Sequence, residues 1–408
     1  MFKICGLALA ASFIAGPALA QVDLFSEGTV SGFIDVRAAT ADGETSWTGA
    51  GFGKTRFGHQ TSGTADAMVE WRPKLAWSLS GVADLMLQSD LEDKVGLNEA
   101  YLLYRPLGAG KTHFQARAGL FYPPVSMEHD GKAWSLTRTI TPSAINSWIS
   151  EEVNETAVEV SLKREFGGHE VGLTVGGFDK NDTAGTLLSF RGWALGDVRA
   201  NLNGEFELPP LSAFIQTVQP SDTYPLRELD DRFGYYIRAD WRPPAPISFN
   251  ATYYDNLGDM IAVDADGQWS WYTRFVNVGL DWTPAENTEV MAQAMIGVTR
   301  MGFPFPVGRW VNVDFDSAYL LATQTFGANA VTGRLDYFRI NDQANALYGN
   351  LSETGWAVTA DYRRALSSNA QLFLEVLHVD SDRASRAYAG LPARQQQTTF
   401  QALARFSF

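Results

Sequence analysis

The chain has 408 residues, 46 acidic against 32 basic side chains for a formal charge of −14, 12% aromatic residues and 37 glycines. So acidic a chain disfavours nucleic acid as a partner, and an excess of this kind commonly sits on exposed loops. The single cysteine, Cys5, falls in the first twenty residues, which leaves the remainder with no thiol for a disulfide, a nucleophile or a thiolate metal site.

From the start, Lys3, an apolar stretch from Ile4 to about Ala15, and Ala18-Leu19-Ala20 before Gln21 read as a secretory signal peptide over 1–20. Its removal would take Lys3 away and leave a mature chain, 21–408, of charge −15. No later apolar run is long enough to cross a bilayer as a helix. Instead, residues alternate apolar and polar over 28–39, 64–72, 75–88, 97–105, 112–121, 155–164, 169–179 and 185–195. The pattern resumes over 232–242, 246–256, 270–283, 288–299, 315–325, 329–340, 355–364, 369–379 and 398–408. Five of these segments close on a similar tag: Trp71-Arg72-Pro73, Tyr104-Arg105-Pro106, Trp241-Arg242-Pro243, Trp282-Thr283-Pro284 and Tyr362-Arg363-Arg364. An aromatic ring at a fixed height near strand ends is what a membrane interface selects, because its body is apolar while its polar edge tolerates headgroups and water.

The expected fold is therefore all-β, a transmembrane antiparallel β-barrel with Trp71, Tyr104, Trp241, Trp282 and Tyr362 in one aromatic girdle. Seventeen segments are an odd count, and bacterial single-chain barrels have an even one. Admitting Val198 to Leu208 gives eighteen strands and puts all five tags on one rim; sixteen is the alternative if Gly185 to Leu208 is loop. Val30, Ile34, Val36, Val158, Val160 and Val276 face outward on this reading, and Arg37, Glu99, Arg105, Arg117, Lys163, Arg238 and Arg334 line the pore. A barrel of this size has a lumen too wide for wall side chains alone to fill, so a water-filled channel is expected.

The third outer loop, about 122–154, is the longest on this numbering and is expected to fold inward as a constriction. It carries Glu128, Asp130, Lys132, Arg138, Glu151 and Glu152, and its acids are placed opposite wall cations such as Arg105, Arg117 or Arg238. Charges in a narrow, low-dielectric passage act strongly on a solute. Each charge also has a plainer reading, as a structural pair pinning the loop.

Asn98-Glu99-Ala100-Tyr101, then Ala116-Arg117-Ala118-Gly119-Leu120-Phe121-Tyr122-Pro123-Pro124 and Glu128, resembles the central block of the phosphate-selective porin O/P family. The resemblance implies diffusion of small hydrophilic solutes, often through a homotrimer. It does not extend to phosphate specificity: the eight lysines are few beside the acidic surplus. At the far end Phe400, Ala402, Ala404, Phe406 and Phe408 share one face, with Gln401, Arg405 and Ser407 on the other. This resembles the C-terminal targeting strand of Gram-negative outer-membrane proteins. It implies that Phe406 and Phe408 serve as an assembly signal for the barrel-assembly machinery, in contact with outer-membrane lipid.

An outer-membrane porin is thus the expected function, with no cofactor, no metal and no catalytic residue. A substrate-specific transporter for sugars, aromatics or anions is the main rival, with Phe33, Tyr101, Phe121, Tyr236, Tyr254 and Phe338 as inward aromatics. A barrel enzyme is the lesser one: the five histidines, His59, His113, His129, His169 and His378, fall in no catalytic signature. A soluble all-β enzyme would invert the pattern, with apolar side chains inside.

Overall fold

The computed structural model describes residues 22–108 and 110–408. The signal-peptide reading over 1–20, with Cys5, lies outside the described residues.

Sixteen long antiparallel strands form one closed sheet. In chain order they are β1 Val30–Ala41, β2 Thr61–Trp71, β3 Leu79–Gln88, β4 Val95–Tyr104, β5 Thr112–Phe121, β6 Glu155–Phe166, β7 His169–Asp179 and β8 Gly234–Arg242. They continue as β9 Ile247–Asp255, β10 Tyr272–Ala285, β11 Thr288–Met301, β12 Val311–Phe326, β13 Asn329–Asp342, β14 Glu353–Ala365, β15 Ala370–Arg383 and β16 Arg394–Ser407. Each pairs with its chain neighbour, a short ribbon Lys74–Ala76 flanks β3, and β1 closes on β16 with Phe33 opposite Ser407 and Ala41 opposite Thr399. Closure gives every strand a paired neighbour on both sides, as a lipid environment requires.

Sixteen, the alternative count, replaces eighteen because Gly185 to Leu208 is not wall. Thr186–Phe190 is a short helix, α2, and the surrounding residues lie buried inside the barrel. A short apolar run reads alike whether it is a strand or a buried helix, since burial on all sides removes the contrast that periodicity needs. Dropping both doubtful segments preserves parity, so the five tags still share the rim that carries both chain ends.

The outward face reads as expected. Ile34, Val36, Val158, Val160 and Val276 are 40–52% exposed, and Trp241, Trp282 and Tyr104 stand on the terminal rim. Trp71 stacks on Phe25 at 5.5 Å and donates from Nε1 to the Leu24 carbonyl at 2.8 Å; Tyr362 donates to Asn329 at 2.6 Å.

The inward face divides. Along β5 to β8 it is polar, but along β10 to β15 it carries Phe275, Met295, Val313, Phe315, Phe338 and Leu377, all at most 2% exposed. The apolar sector exists because two outer loops pack against it. Loop L3, residues 122–154, carries helix α1, Ala144–Glu152, whose residues are all buried. Ser143 starts α1 by accepting the Asn146 N–H at 3.3 Å, and the Asp336 carboxylate on β13 accepts that of Ala144 at 3.1 Å. An acid at a helix N-terminus satisfies donors that have no partner within the helix. Trp148 then meets Phe315 at 5.3 Å and Phe275 at 5.5 Å edge-on, and Trp193 at 6.0 Å. The longest outer loop is L4, residues 180–233, rather than L3.

One tight contact limits where the wall tolerates change. Gly176 on β7 faces inward opposite Tyr236, and a Cβ there would lie 2.1 Å from the Tyr236 ring. Replacing Gly176 with Ala is expected to lower stability by about 1–3 kcal/mol through overpacking, measured as a lower urea midpoint in detergent. An unchanged midpoint would mean that Tyr236 moves aside freely.

Candidate functional site

What the inner wall does is decided by which of its charges the loops cover. L3 runs round the lumen near the terminal rim, and wall side chains hold its backbone. Arg405 on β16 donates to the Leu136 carbonyl at 2.7 Å, and Arg363 on β14 to that of Thr137. The Glu375 carboxylate on β15 accepts the N–H groups of Ile140 and Thr141 at 2.8 and 3.1 Å, and Glu70 on β2 accepts that of Ala133 at 3.2 Å. Arg334 on β13 is wholly buried and donates to the carbonyls of Thr141 and Pro142 at 2.7 and 2.9 Å while pairing with Glu128 at 3.1 Å and Asp336 at 2.7 Å.

The L3 charges therefore act within the loop's own anchoring. Asp130 pairs with Arg138 at 2.9 Å, and Arg138 bridges onward to Glu289 at 2.7 Å. Glu151 pairs with Arg191 of L4 at 2.6 Å; Glu152 accepts from Trp148 Nε1 at 2.6 Å and from the Leu187 N–H at 2.7 Å. Both glutamates are sealed from solvent, and burial pushes the Glu151 carboxyl up to about 8. Lys132 is exposed. Of the wall set, Arg37 is buried beneath L4 and Glu99 accepts the Tyr122 N–H at 3.2 Å. Among the described residues no L3 acid forms an ion pair with Arg105, Arg117 or Arg238; Asp130 shares a cavity of about 260 Å³ with Lys163 and Arg238, and its own partner there is Arg138.

Arg105, Arg117, Lys163 and Arg238 come together elsewhere. They line a vestibule of about 830 Å³ on β4 to β8, between the terminal rim and L3, with His113 and Gln115. Arg117 is held by Glu159 at 2.8 Å and lies 3.8 Å over the Phe121 ring; Arg238 is held by Asp240 at 2.7 Å and by the Pro124 carbonyl. Among the described residues the Arg105 side chain bonds only to the neutral Gln115, at 2.7 Å, and Lys163 has no carboxylate within ion-pair distance. Two cations in the vestibule are therefore not neutralised by an acid, although the chain as a whole is acidic. Above them Tyr236 donates to Glu159 at 2.8 Å, and Phe178, Tyr254 and Phe275 stack at 4.9 and 4.7 Å. The inward aromatics are thus stacking and closing groups, with Phe33, Phe121, Tyr236, Tyr254 and Phe338 buried.

Among the described residues a hydroxyl meets a histidine at two places, Thr398 with His378 at 3.0 Å across β16 and β15, and Ser126 with His129 in L3. Ser126 Oγ lies 2.8 Å from His129 Nδ1, but it also accepts the backbone N–H of His129 at 3.3 Å, which makes the contact a local turn. The His129 ring stacks on Trp134 at 3.8 Å, its Nε2 is buried, and burial with Arg199 nearby holds its pKa well below the usual range. A base sealed in this way reaches no substrate proton.

A closed barrel of sixteen strands, with both ends on one rim and a long third loop folded inside, decides the architecture. The fold is that of the outer-membrane porins. The channel DcaP of Acinetobacter baumannii superposes with a TM-score of 0.55 at 11% identity over 95% of this chain and all of its own. OprB of Pseudomonas putida gives 0.52 at 11% identity, covering 93% of each chain. An anion-selective porin from Comamonas acidovorans gives 0.51 at 11% identity over 93% of this chain and 99% of its own. The sequence matches no protein-family model and no curated protein. At these identities the likeness is one of fold.

The sequence reading also missed the residues that seat L4: Lys54 and Arg56 in the first outer loop L1 (42–60), Asp197 in L4 itself, and Glu353 and Arg383 on the wall. Asp197 bonds to Arg37 at 2.9 Å and to Arg56 at 3.0 Å. Burial alone would push its carboxyl up, but Arg37 and Arg56 outweigh burial and hold it below the usual carboxylate range. A faint signal was present: Arg191, Asp197 and Arg199 interrupt an apolar stretch, and charges in an interior need partners.

Proposed function

We propose that this protein is an outer-membrane porin through which small hydrophilic solutes diffuse, with anions favoured over cations. The observation that carries the reading is the vestibule: water-accessible space inside an apolar-belted barrel, lined by Arg105 and Lys163 without compensating acids. A solute responds to the charges it passes closely, because salt screens those more than about 8–10 Å away. The local cations therefore outweigh the acidic total. This reading agrees with the resemblance of 98–128 to phosphate-selective porins in the sign of the preferred charge, and leaves phosphate as one candidate among small anions. Transport is supported by the same space, where Arg105 and Lys163 face water.

The girdle and terminal rim would face the periplasm, with export by a signal peptide over 1–20 and insertion by the barrel-assembly machinery. A homotrimer is supported by a shallow lipid-side groove lined by Ala38, Ala402 and Ala360, with Gly63 in register beside Ala38 and Gly333 beside Ala360. Small side chains let two barrels approach closely in lipid.

Single-channel recording in a planar bilayer under a salt gradient tests the function. Stable conductance steps with a reversal potential of the anionic sign are expected, and replacing Arg105 and Lys163 together with Gln should move that potential toward cations. Cation preference in the unaltered protein, or a potential indifferent to the double replacement, would refute the anion assignment. A folded barrel that stays silent both with and without its longest outer loop would refute the channel.

A further inference from the structure

The strand–loop geometry singles out L4. From Asn181 to Asn201 every residue except the half-buried Asp197 is buried, although the loop leaves and rejoins the wall at the outer rim. Its attachments, in chain order, run round the inside of the barrel. The Ala184 carbonyl accepts from Thr273 on β10; Arg383 on β15 donates to the carbonyls of Ser189 and Phe190 at 2.7 and 2.8 Å. The Trp193 N–H donates to Glu353 on β14 at 3.0 Å, where Lys54 also pairs, and Leu195 bonds to the backbone of Lys54 at 2.7 Å. Asp197 then reaches Arg37 on β1, the Arg199 N–H donates to Gln88 on β3 at 3.2 Å, and the Leu202 N–H donates to Leu97 on β4 at 2.9 Å. The segment crosses the lumen as a strap, on the outer side of L3.

Two further features fit a built strap rather than a loop that happens to collapse inward. Leu187, Leu188, Trp193 and Leu195 join the same apolar cluster as Trp148 of α1, so strap and L3 helix are one packed unit. Gly192, where the strap turns toward β14, has φ +86°, and a Cβ there would lie 2.0 Å from the Glu353 carboxylate. Only glycine lets the backbone approach its anchor so closely.

We propose that the L4 strap, residues 181–201, is the size-determining barrier of the channel on its outer side, and that L3 constricts only the inner side. This rests on the channel reading of the preceding subsection. The barrel is wide enough to need filling, and the strap is what fills it between β10, β14–β15, β1 and β3–β4. Solute passing from outside meets the strap before it reaches the vestibule cations.

The test uses the natural adjacency of the strap's roots. Thr183 Oγ1 donates to the Tyr224 carbonyl at 2.6 Å, so residues 184–223 can be replaced by a short glycine linker without stretching the wall. Single-channel conductance and the liposome-swelling cut-off with neutral sugars of increasing size are compared with those of the full chain. The expected result is a conductance at least about twofold higher and admission of larger sugars. A heat-modifiable shortened barrel with unchanged conductance and cut-off would overturn the proposal.

Should the shortened chain fail to fold, the full-length Asp197→Cys variant provides the second readout, since Asp197 is the strap residue that solvent reaches and the mature chain has no other thiol. A charged thiol reagent applied to open channels is expected to change conductance in discrete steps; no change on quantitative labelling would place the strap outside the ion path and overturn the proposal. A full-length protein that is silent beside a conducting shortened one supports the strap as a barrier. Silence in both refutes the channel reading itself.

Discussion

Deleting Phe408 should sharply reduce the amount of folded barrel that reaches the membrane. β16 ends the chain and closes the seam, and the last two bonds of that seam belong to Phe408: its N–H donates to the Gly32 carbonyl at 3.0 Å, and its carbonyl accepts the Gly32 N–H at 3.1 Å. Each such bond contributes about 0.5–1.5 kcal/mol net in water, and more of its gross strength is at stake where lipid offers no substitute partner. The rings of Phe406 and Phe408 lie on the lipid side, 50 and 53% exposed, so the terminal aromatics are available to whatever recognises the strand before closure. The expected result is a severalfold drop in the heat-modifiable species on gels of outer-membrane fractions, a loss of assembly yield rather than of the closed barrel's equilibrium stability. Phe408→Ala separates the two contributions, because it keeps both backbone bonds and removes only the ring. If the deletion leaves the heat-modifiable species at its normal level, the seam closes without its last residue and the C-terminal assembly reading fails.

The second large effect is expected at Arg334. This guanidinium bonds to Asp336, Glu128, Thr359 and the carbonyls of Thr141 and Pro142, all in the barrel interior. Replacing it with Ala strands two buried carboxylates and frees two L3 carbonyls at once. Breaking a buried ion pair by removing one partner costs about 3–5 kcal/mol, chiefly because the remaining charge is left uncompensated. Urea unfolding in detergent should show a loss of that order, and proteases should cut L3 near residues 130–142. The same reasoning predicts recovery: adding Glu128→Gln and Asp336→Asn to an Arg334→Met chain removes the stranded charges and should restore much of the stability. A loss below about 1 kcal/mol for Arg334→Ala, with L3 still protected, would show that α1 packing alone holds the loop.

Both cases depend on how inward charges are used. Arg334, Arg405 and Glu375 were legible in the sequence as inward residues, since a period of two assigns faces whatever lies opposite them. Their occupation with L3 carbonyls and amides was not legible. A wall arginine that greets solute and one that grips a loop have the same neighbours in sequence, and only the path of residues 133–142 separates them. The same limit explains Arg105 and Lys163: L3 borders their vestibule at Pro124 and Ser126, and among the described residues it bonds to neither.

Local pattern by itself determined the barrel, the lipid-facing side of each strand, the shared rim of the five aromatic tags and the inward course of the third loop. Each of these depends on residues a few positions apart, and strand alternation and a membrane's fixed thickness impose them directly. Tertiary structure alone decided that Gly185 to Leu208 leaves the wall, that L4 rather than L3 is the longest loop, and that Phe275, Phe315, Phe338 and Leu377 on β10 to β15 are buried under the loops. The reason is range: Asp197 finds Arg37, 160 positions away, and Lys54 bonds to Gln397, 343 positions away. Contacts that distant form only after the barrel has curved its strands around a common interior, so no periodicity along the chain could announce them.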